Sequence, residues 1–322
     1  MADITPYVSP AMLLATNVGI SWTTFPKQGS SGPDQIAAQL DICNMVTSEM
    51  DTIANQTLRA TLDVEQEFGP DYVITILPNS WARFRLSHWP ILQLISAQYS
   101  PSGLYPPVWA SIPQTALITE HSGLPEVGTV VPSGPGPGPT AALIAPGFVS
   151  WNNGRKGYLV QVTSVNGFPS AGINVPASAG ATSIHVDDVT GWWDPYQNLG
   201  ARGRIYDPPL VESVQVTGMT PDSAGKISGP GTLSLLVALQ FTHTPKIGLV
   251  NEADQPILLT TMPRALIQSG YYLATYFGLM RGSTAAVMQV VKGTSQSLGG
   301  AKAGADWYQK AEAAIARYAR VY

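Results

Sequence analysis

The chain has 322 residues, of which 12% are charged and 44% hydrophobic, and its formal net charge is −4 at pH 7. That length has room for about two domains of roughly 100–200 residues each. The apolar content excludes disorder of the whole chain, and the acidic balance argues against a sequence-reading nucleic-acid binder, which presents a basic face.

Charged residues are about half as frequent as the usual ~25%, so much of the surface is expected to be covered by something other than water. The charge is also uneven: residues 251–322 hold seven Lys/Arg against four Asp/Glu, whereas the preceding part holds ten against seventeen. A single cysteine, Cys43, excludes an internal disulfide. It falls on the apolar stripe of a predicted helix and reads as a small buried hydrophobe. Met1–Pro10 lacks a basic n-region and does not read as a signal peptide. The longest apolar run, Leu233–Phe241, is broken by Ser234 and Gln240 and falls far short of the ~18 residues of a membrane span. A soluble protein made in the cytoplasm is expected.

Residues 1–33 read as an extended, turn-rich arm, punctuated by Pro6, Pro10, Pro26 and Pro33. Trp22 and Phe25 within it need something to pack on. Ser31-Gly32-Pro33-Asp34 is a helix start, with an acid near the positive dipole end. A helix is predicted over Asp34–Leu58, with Ile36, Leu40, Cys43, Val46, Met50 and Ile53 on one face. Ile42 and Met45 lie off that stripe, so a second flank is also covered, which reads as modest overpacking in a monomer and as a subunit interface in a ring.

Strand signals follow at Ala60–Phe68, Tyr72–Leu77, Ala82–Leu86, Ile91–Tyr99 and Val108–Ile112. Ile91, Leu94 and Ile95 break clean alternation, which points to burial of both faces. Pro125–Pro139 contains Gly134-Pro135-Gly136-Pro137-Gly138-Pro139 and reads as an extended linker. Six further short strands are predicted at Tyr158–Val165, Ser183–Val186, Gly203–Tyr206, Val211–Thr217, Thr232–Gln240 and Lys246–Val250. Their spacing reads as a β-sandwich or small barrel. A helix capped by Thr261 then runs to Met280, the polar Lys292–Gly304 stretch reads as a tether, and a last helix covers Ala305–Tyr322.

The expected fold class is α+β: a small helical core with short strands, interrupted by an inserted β domain. The expected division is an arm at 1–33, a first core part at 34–125, the insert at 126–250, and a second core part at 251–322. Aromatic residues on the last helix, Trp307, Tyr308 and Tyr318, with Ile315 beside them, read as a docking face for a partner, with packing in the domain's own core as the alternative.

Little in the sequence carries catalysis. His88, His121, His185 and His243 have neither the i, i+4 spacing of a helical metal site nor cysteine company. Asp187-Asp188 could open a calcium loop, but the oxygen ligands expected further on are missing. No nucleophile elbow, Walker loop or dinucleotide fingerprint occurs. No enzyme activity, cofactor or metal is therefore expected. Trp192-Trp193 with Tyr196, and Trp151, could form a sugar-stacking platform, weighed against ordinary packing in a β domain.

The order of elements carries a resemblance. The helix at Asp34–Leu58 leads into Arg59-Ala60-Thr61-Leu62, a strand pair, and the segment Arg83-Phe84-Arg85-Leu86-Ser87-His88-Trp89-Pro90-Ile91-Leu92-Gln93-Leu94-Ile95-Ser96. The chain closes with a helix at Pro263–Met280, Arg281-Gly282, a Gly/Ser loop and a terminal helix ending near Arg320. This series resembles the head–tail connector (adaptor) proteins of long-tailed bacteriophages, over about residues 34–120 and 255–322. The segment Ala179–Asp188, with Ile205-Tyr206-Asp207, Val211-Glu212-Ser213-Val214 and His243, is similar to a β module of phage virion proteins. Standard connectors are much shorter, and the inserted β segment is a departure from them.

The resemblance implies a structural virion protein at the neck, assembled in the host cytoplasm. It would form a homo-oligomeric ring of about twelve copies, between the portal protein and a second neck or tail-completion protein. Double-stranded DNA would pass through the lumen without base reading, and no membrane is involved. The family's C-terminal segment grips the portal, which here means Trp307, Tyr308, Ile315, Tyr318 and Arg320. The rival expectation is a carbohydrate-binding tail or decoration protein whose β domain contacts the host surface.

Overall fold

The computed structural model describes residues 5–16, 20–26, 32–68, 74–76, 82–85, 88, 90–100, 109–112, 117–120, 129–132, 159–195, 198–248, 254–281 and 300–319. The chain forms two compact units. Residues Met1–Leu58 and Phe168–Ala319 make one, and Arg59–Gly167 falls to the other.

The first unit contains helices α1 (Pro10–Leu14), α2 (Gly32–Ala54), α3 (Arg264–Met280) and α4 (Gly300–Ile315). It also contains a closed barrel of six strands in the order β10-β15-β14-β13-β16-β9. These strands are β9 (Ser170–Ile173), β10 (Ser183–Val186), β13 (Arg202–Asp207), β14 (Leu210–Pro221), β15 (Gly231–Leu235) and β16 (Ile257–Thr260). The expectation of an α+β chain with a small barrel therefore holds.

In the helical part, Cys43, Val46 and Met50 of α2 pack with Leu266, Ile267, Leu273 and Ala274 of α3 and with Ala311 and Ile315 of α4. Segments from opposite ends of the chain thus share one core. The residues before α2 belong to it too. Tyr7, Val8, Met12, Leu13, Ile20, Trp22 and Phe25 are all buried there, so the expected extended arm is a folded lining with a short helix of its own. Its backbone is held by side chains of α2: Tyr7 N–H donates to Thr47 Oγ1 (3.0 Å), and the amides of Gln35 and Gln39 donate to Trp22 O (3.0 and 2.8 Å). Gly270 of α3 sits where the packing is closest. A methyl group there would stand 2.8 Å from Val8 Cγ1.

The barrel encloses Ile173, Ile184, Val186, Trp192, Ile205, Val214, Val216, Leu233 and Leu259. Alternation along β14 turns Val214 and Val216 inward and Ser213 and Thr217 outward. The large indole of Trp192 fits because Gly203 has no side chain, and a methyl group there would lie 2.8 Å from the ring. All four residues of β16 are buried. Ile257 and Leu259 point into the barrel while Leu258, on the opposite face, joins the helical core. One strand therefore supplies two cores.

The second unit holds two four-stranded sheets. One has the order β1-β8-β4-β5, from β1 (Thr61–Phe68), β4 (Ile91–Ser100), β5 (Ala110–Ile112) and β8 (Leu159–Asn166). The other has the order β2-β3-β7-β6, from β2 (Ile74–Ile76), β3 (Ala82–Arg85), β6 (Leu117–Glu120) and β7 (Thr129–Pro132). The irregular apolar pattern of β4 has a local cause. Its pairing with β8 shifts register between Ile91 and Gln93 and again between Leu94 and Ser96, and each bulge changes the phase of the alternation.

Several expected boundaries do not coincide with these units. The insert was expected at 126–250, yet the segment that leaves and rejoins the helical unit is Arg59–Gly167. β8, expected in the barrel, pairs with β1 and β4 instead. The barrel closes through β9 and β16, two short strands that the spacing argument missed. Within the expected linker, Thr129–Pro132 forms β7, paired with β3 and β6; Gly134–Pro139 lies outside the described residues. Thr261 does not cap α3, whose N-cap is Pro263; its hydroxyl bonds Pro169 O instead.

Candidate partner-binding surface

The C-terminal helix was expected to hold an aromatic docking face. In α4, Ala311 and Ile315 are buried in the helical core, and Tyr308 and Tyr318 pack against it. The Tyr308 ring packs at a tilt against Tyr276, 5.1 Å between ring centroids, and Trp307 against Tyr272 at 5.2 Å. Tyr318, in the 3-10 turn that follows (Ala316–Tyr318), meets Phe168 edge-on at 5.9 Å, while its carbonyl accepts from the Gln56 amide at 2.7 Å. The Tyr308 hydroxyl donates to Glu49 Oε1 at 2.6 Å. That bond and burial push its pKa up to about 12, because ionising the phenol beside a carboxylate is unfavourable.

The apolar edge of this helix is thus directed inward. Ile315 cannot meet a neighbour without opening the core. The face left to solvent is polar: Asp306, Gln309, Lys310, Glu312 and Arg317 are exposed. Half-buried Trp307 borders it, with Lys310 Nζ 4.6 Å from the ring centroid. Arg320 lies outside the described residues.

Ile42 and Met45, expected at a subunit interface, also belong to the helical unit. Ile42 is completely buried and Met45 packs against the core from its edge. The buried line of α2 runs through Gln39, Ile42, Cys43, Val46, Met50 and Ala54; it keeps Cys43, Val46 and Met50 of the predicted stripe and widens it to take in Ile42. The cause is the N-terminal lining, which covers the flank that a helix without it would leave open. Cys43 lies in this core, and burial drives its thiol pKa well above the usual range.

Several ionisable side chains of the barrel are occupied by contacts within the unit. Asp187 accepts from Gly172 N–H (2.6 Å) and from Thr5 Oγ1 (2.5 Å), tying the N-terminal lining to the barrel. Asp188 Oδ1 accepts from Thr190 N–H, Thr190 Oγ1 and Gly229 N–H. These carboxylates therefore organise turns rather than a calcium loop. His185 Nδ1 lies 2.8 Å from Asn174 Oδ1, and its Nε2 lies 3.1 Å from Asp222 Oδ2.

His243 is fully buried, with Nε2 2.7 Å from Glu212 Oε1 and Nδ1 3.0 Å from Asp207 Oδ2. Carboxylate oxygens only accept, so both bonds form together only when both ring nitrogens carry hydrogen. The resemblance to a β module named together the segments that hold Asp207, Glu212 and His243, but their contact was not read from the sequence, because the three residues are remote in the chain. Trp192, considered for sugar stacking, is buried in the barrel core and presents no face to a ligand. Tyr196 and Trp151 lie outside the described residues.

No family model matches this chain, and no curated protein or solved structure matches it. Among the described residues no helix is long and apolar enough to cross a membrane.

Proposed function

We propose that the protein is a structural virion component, a head–tail connector that assembles as a ring between the portal vertex and the tail, with DNA passing through its lumen. The observation that carries this reading is the shared core of α2, α3 and α4. Residues 32–54, 264–280 and 300–315, from opposite ends of the chain, pack as one helical body. The helices of the resemblance, one before residue 59 and two after residue 255, are the ones that share this core, while its strand segments from Arg59 onward belong to the other unit. The low charge of the chain, 12% of residues, is consistent with a surface largely covered in an assembly.

In this reading the partners are the portal protein, a second neck or tail-completion protein, and further copies of the chain, about twelve by family resemblance. Portal contact by the C-terminal segment then uses the outer side of α4. Trp307 and Lys310 border that side, while Tyr308 and Ile315 hold the helix in place from within. Met45, at the edge of the core, remains the part of the proposed subunit interface that a neighbour could reach.

A head–tail joining assay tests the proposal. A phage lacking this protein should accumulate DNA-filled heads that fail to join tails, and adding the purified protein should restore joining. Normal virions in its absence would contradict it.

A further inference from the structure

One face of the barrel carries an open cleft of about 520 Å³ where β13, β14 and the start of α3 come together. Arg202 and Arg204 occupy alternate, outward positions of β13 and line it, and Arg264, the first residue of α3, lines it from the side. Among the described residues the side chains of these three arginines have no hydrogen bond or ion pair. Their cross-strand neighbours are neutral: Gln215 opposite Arg202, and Ser213 and Thr260 on either side of Arg204. The acids of the adjoining strands are committed elsewhere, since Asp207 and Glu212 hold His243. Among the described residues no acid lines the cleft. The N-terminus of α3 has no side-chain cap, so its positive dipole end adds to the same field.

The rim is apolar. Leu236 N–H donates to Gln215 O at 2.8 Å, which holds the turn after β15 across β14. Leu236 and Val237 line the cleft and are 59% and 68% exposed. Guanidinium forks match carboxylates two oxygens at a time, and exposed aliphatic side chains beside them match aliphatic side chains.

We infer that this cleft binds an extended polypeptide segment in which acidic and aliphatic side chains alternate. A nucleic-acid backbone satisfies the arginines but leaves Leu236 and Val237 uncovered, and the chain's net charge of −4 opposes a long polyanion. The closed barrel offers no free edge strand, so recognition acts through side chains rather than by strand addition. The inference stands on the cleft alone and does not depend on the connector reading.

The test uses the full chain and a short fluorescent peptide of alternating glutamate and leucine, followed by anisotropy at low salt. Saturable binding is expected, and it should weaken at least about tenfold, or 1.4 kcal/mol, in R202Q/R204Q and again in L236S/V237S. A glutamate–serine peptide should bind more weakly, and a lysine–leucine peptide should not bind. All of these variants replace exposed side chains, and unchanged thermal midpoints would exclude misfolding. R264Q gives an independent third reading of the same site. Absence of binding, or binding indifferent to both double variants, would overturn the inference. So would tighter binding of a short DNA duplex that L236S/V237S leaves unchanged, which would assign the arginines to nucleic acid.

Discussion

Tyr308 donates its phenolic hydrogen to Glu49 Oε1 at 2.6 Å, joining the last helix to the first long one across most of the chain. Around this bond, Ala311 and Ile315 complete the core that Cys43, Val46 and Met50 begin. The terminal helix is therefore a structural member of its unit, and its aromatic side is occupied before any partner arrives.

Ile315→Ala should consequently destabilise the protein by about 2–5 kcal/mol, the range for truncating a buried aliphatic side chain. Urea denaturation followed by circular dichroism measures this. Removal of residues 300–322 should cost more and expose apolar surface. A truncated chain as stable as the full one would return the helix to the role of a detachable docking element.

Alkaline pH should act on the same contact. The Tyr308 pKa is pushed up to about 12 by its hydrogen bond to Glu49 and by burial, and that of Tyr271 to about 12 by burial and the neighbouring Tyr206. For a group whose pKa is raised on folding, the stabilising contribution is complete below the unfolded value, about 10, and is lost as pH climbs through the folded value. Stability should therefore hold to about pH 10 and fall between about pH 10 and 12. Tyr308→Phe should be less stable at neutral pH by about 1 kcal/mol and show a shallower alkaline loss. An identical pH profile in the variant would dissociate the loss from this tyrosine.

His243 offers a test inside the barrel. His243→Ala would leave Glu212 buried without its main partner, and breaking such a pair from one side costs about 3 kcal/mol. Thermal unfolding should show a lower midpoint for His243→Ala than for His185→Ala, at a half-buried histidine. If the two variants melt alike, the clasp contributes nothing to the barrel.

Excision of the second unit is a further test of how the chain is organised. Phe168 N–H donates to Leu58 O at 2.7 Å, so the two ends of the first unit already touch at the point where Arg59–Gly167 leaves and returns. Replacing residues 59–167 by a short Gly/Ser linker should give a soluble, cooperatively folding protein, because closing a shorter loop changes the cost by only about 0.6 kcal/mol per halving of length. Deleting residues 128–245, by contrast, removes β9, β10 and β13–β15 and should abolish folding. The reverse outcome would restore the division expected from composition.

The same elements explain what was legible in the sequence. α2, α3 and α4 were visible because a 3.6-residue period repeats over many turns in each, and Ser183–Val186 because alternation and flanking turns frame it. The stripe of α2 through Cys43, Val46 and Met50 is legible in its period, but the burial of Ile42 beside it is not, since residues 7–16 and 20–25, which share that core, have no periodicity to advertise them. β9 and β16 have only four residues each, all buried, and carry no alternation to detect. The boundary at 125/126 was placed on composition, but membership of a unit is decided by pairing: β8 goes with β1 and β4 through long registers that no local pattern encodes. The clasp at His243 and the cleft at Arg202 and Arg204 are assemblies of residues distant in sequence. Only the i, i+2 spacing of the two arginines hinted at a common face.

The proposal that this chain is a ring-forming connector is tested most directly by cryo-electron microscopy of the virion neck. The account predicts a symmetric ring between portal and tail, into whose subunits the shared core of α2, α3 and α4 fits, with the outer side of α4 toward the portal. Density for this protein confined to the capsid shell or the tail tube would contradict it.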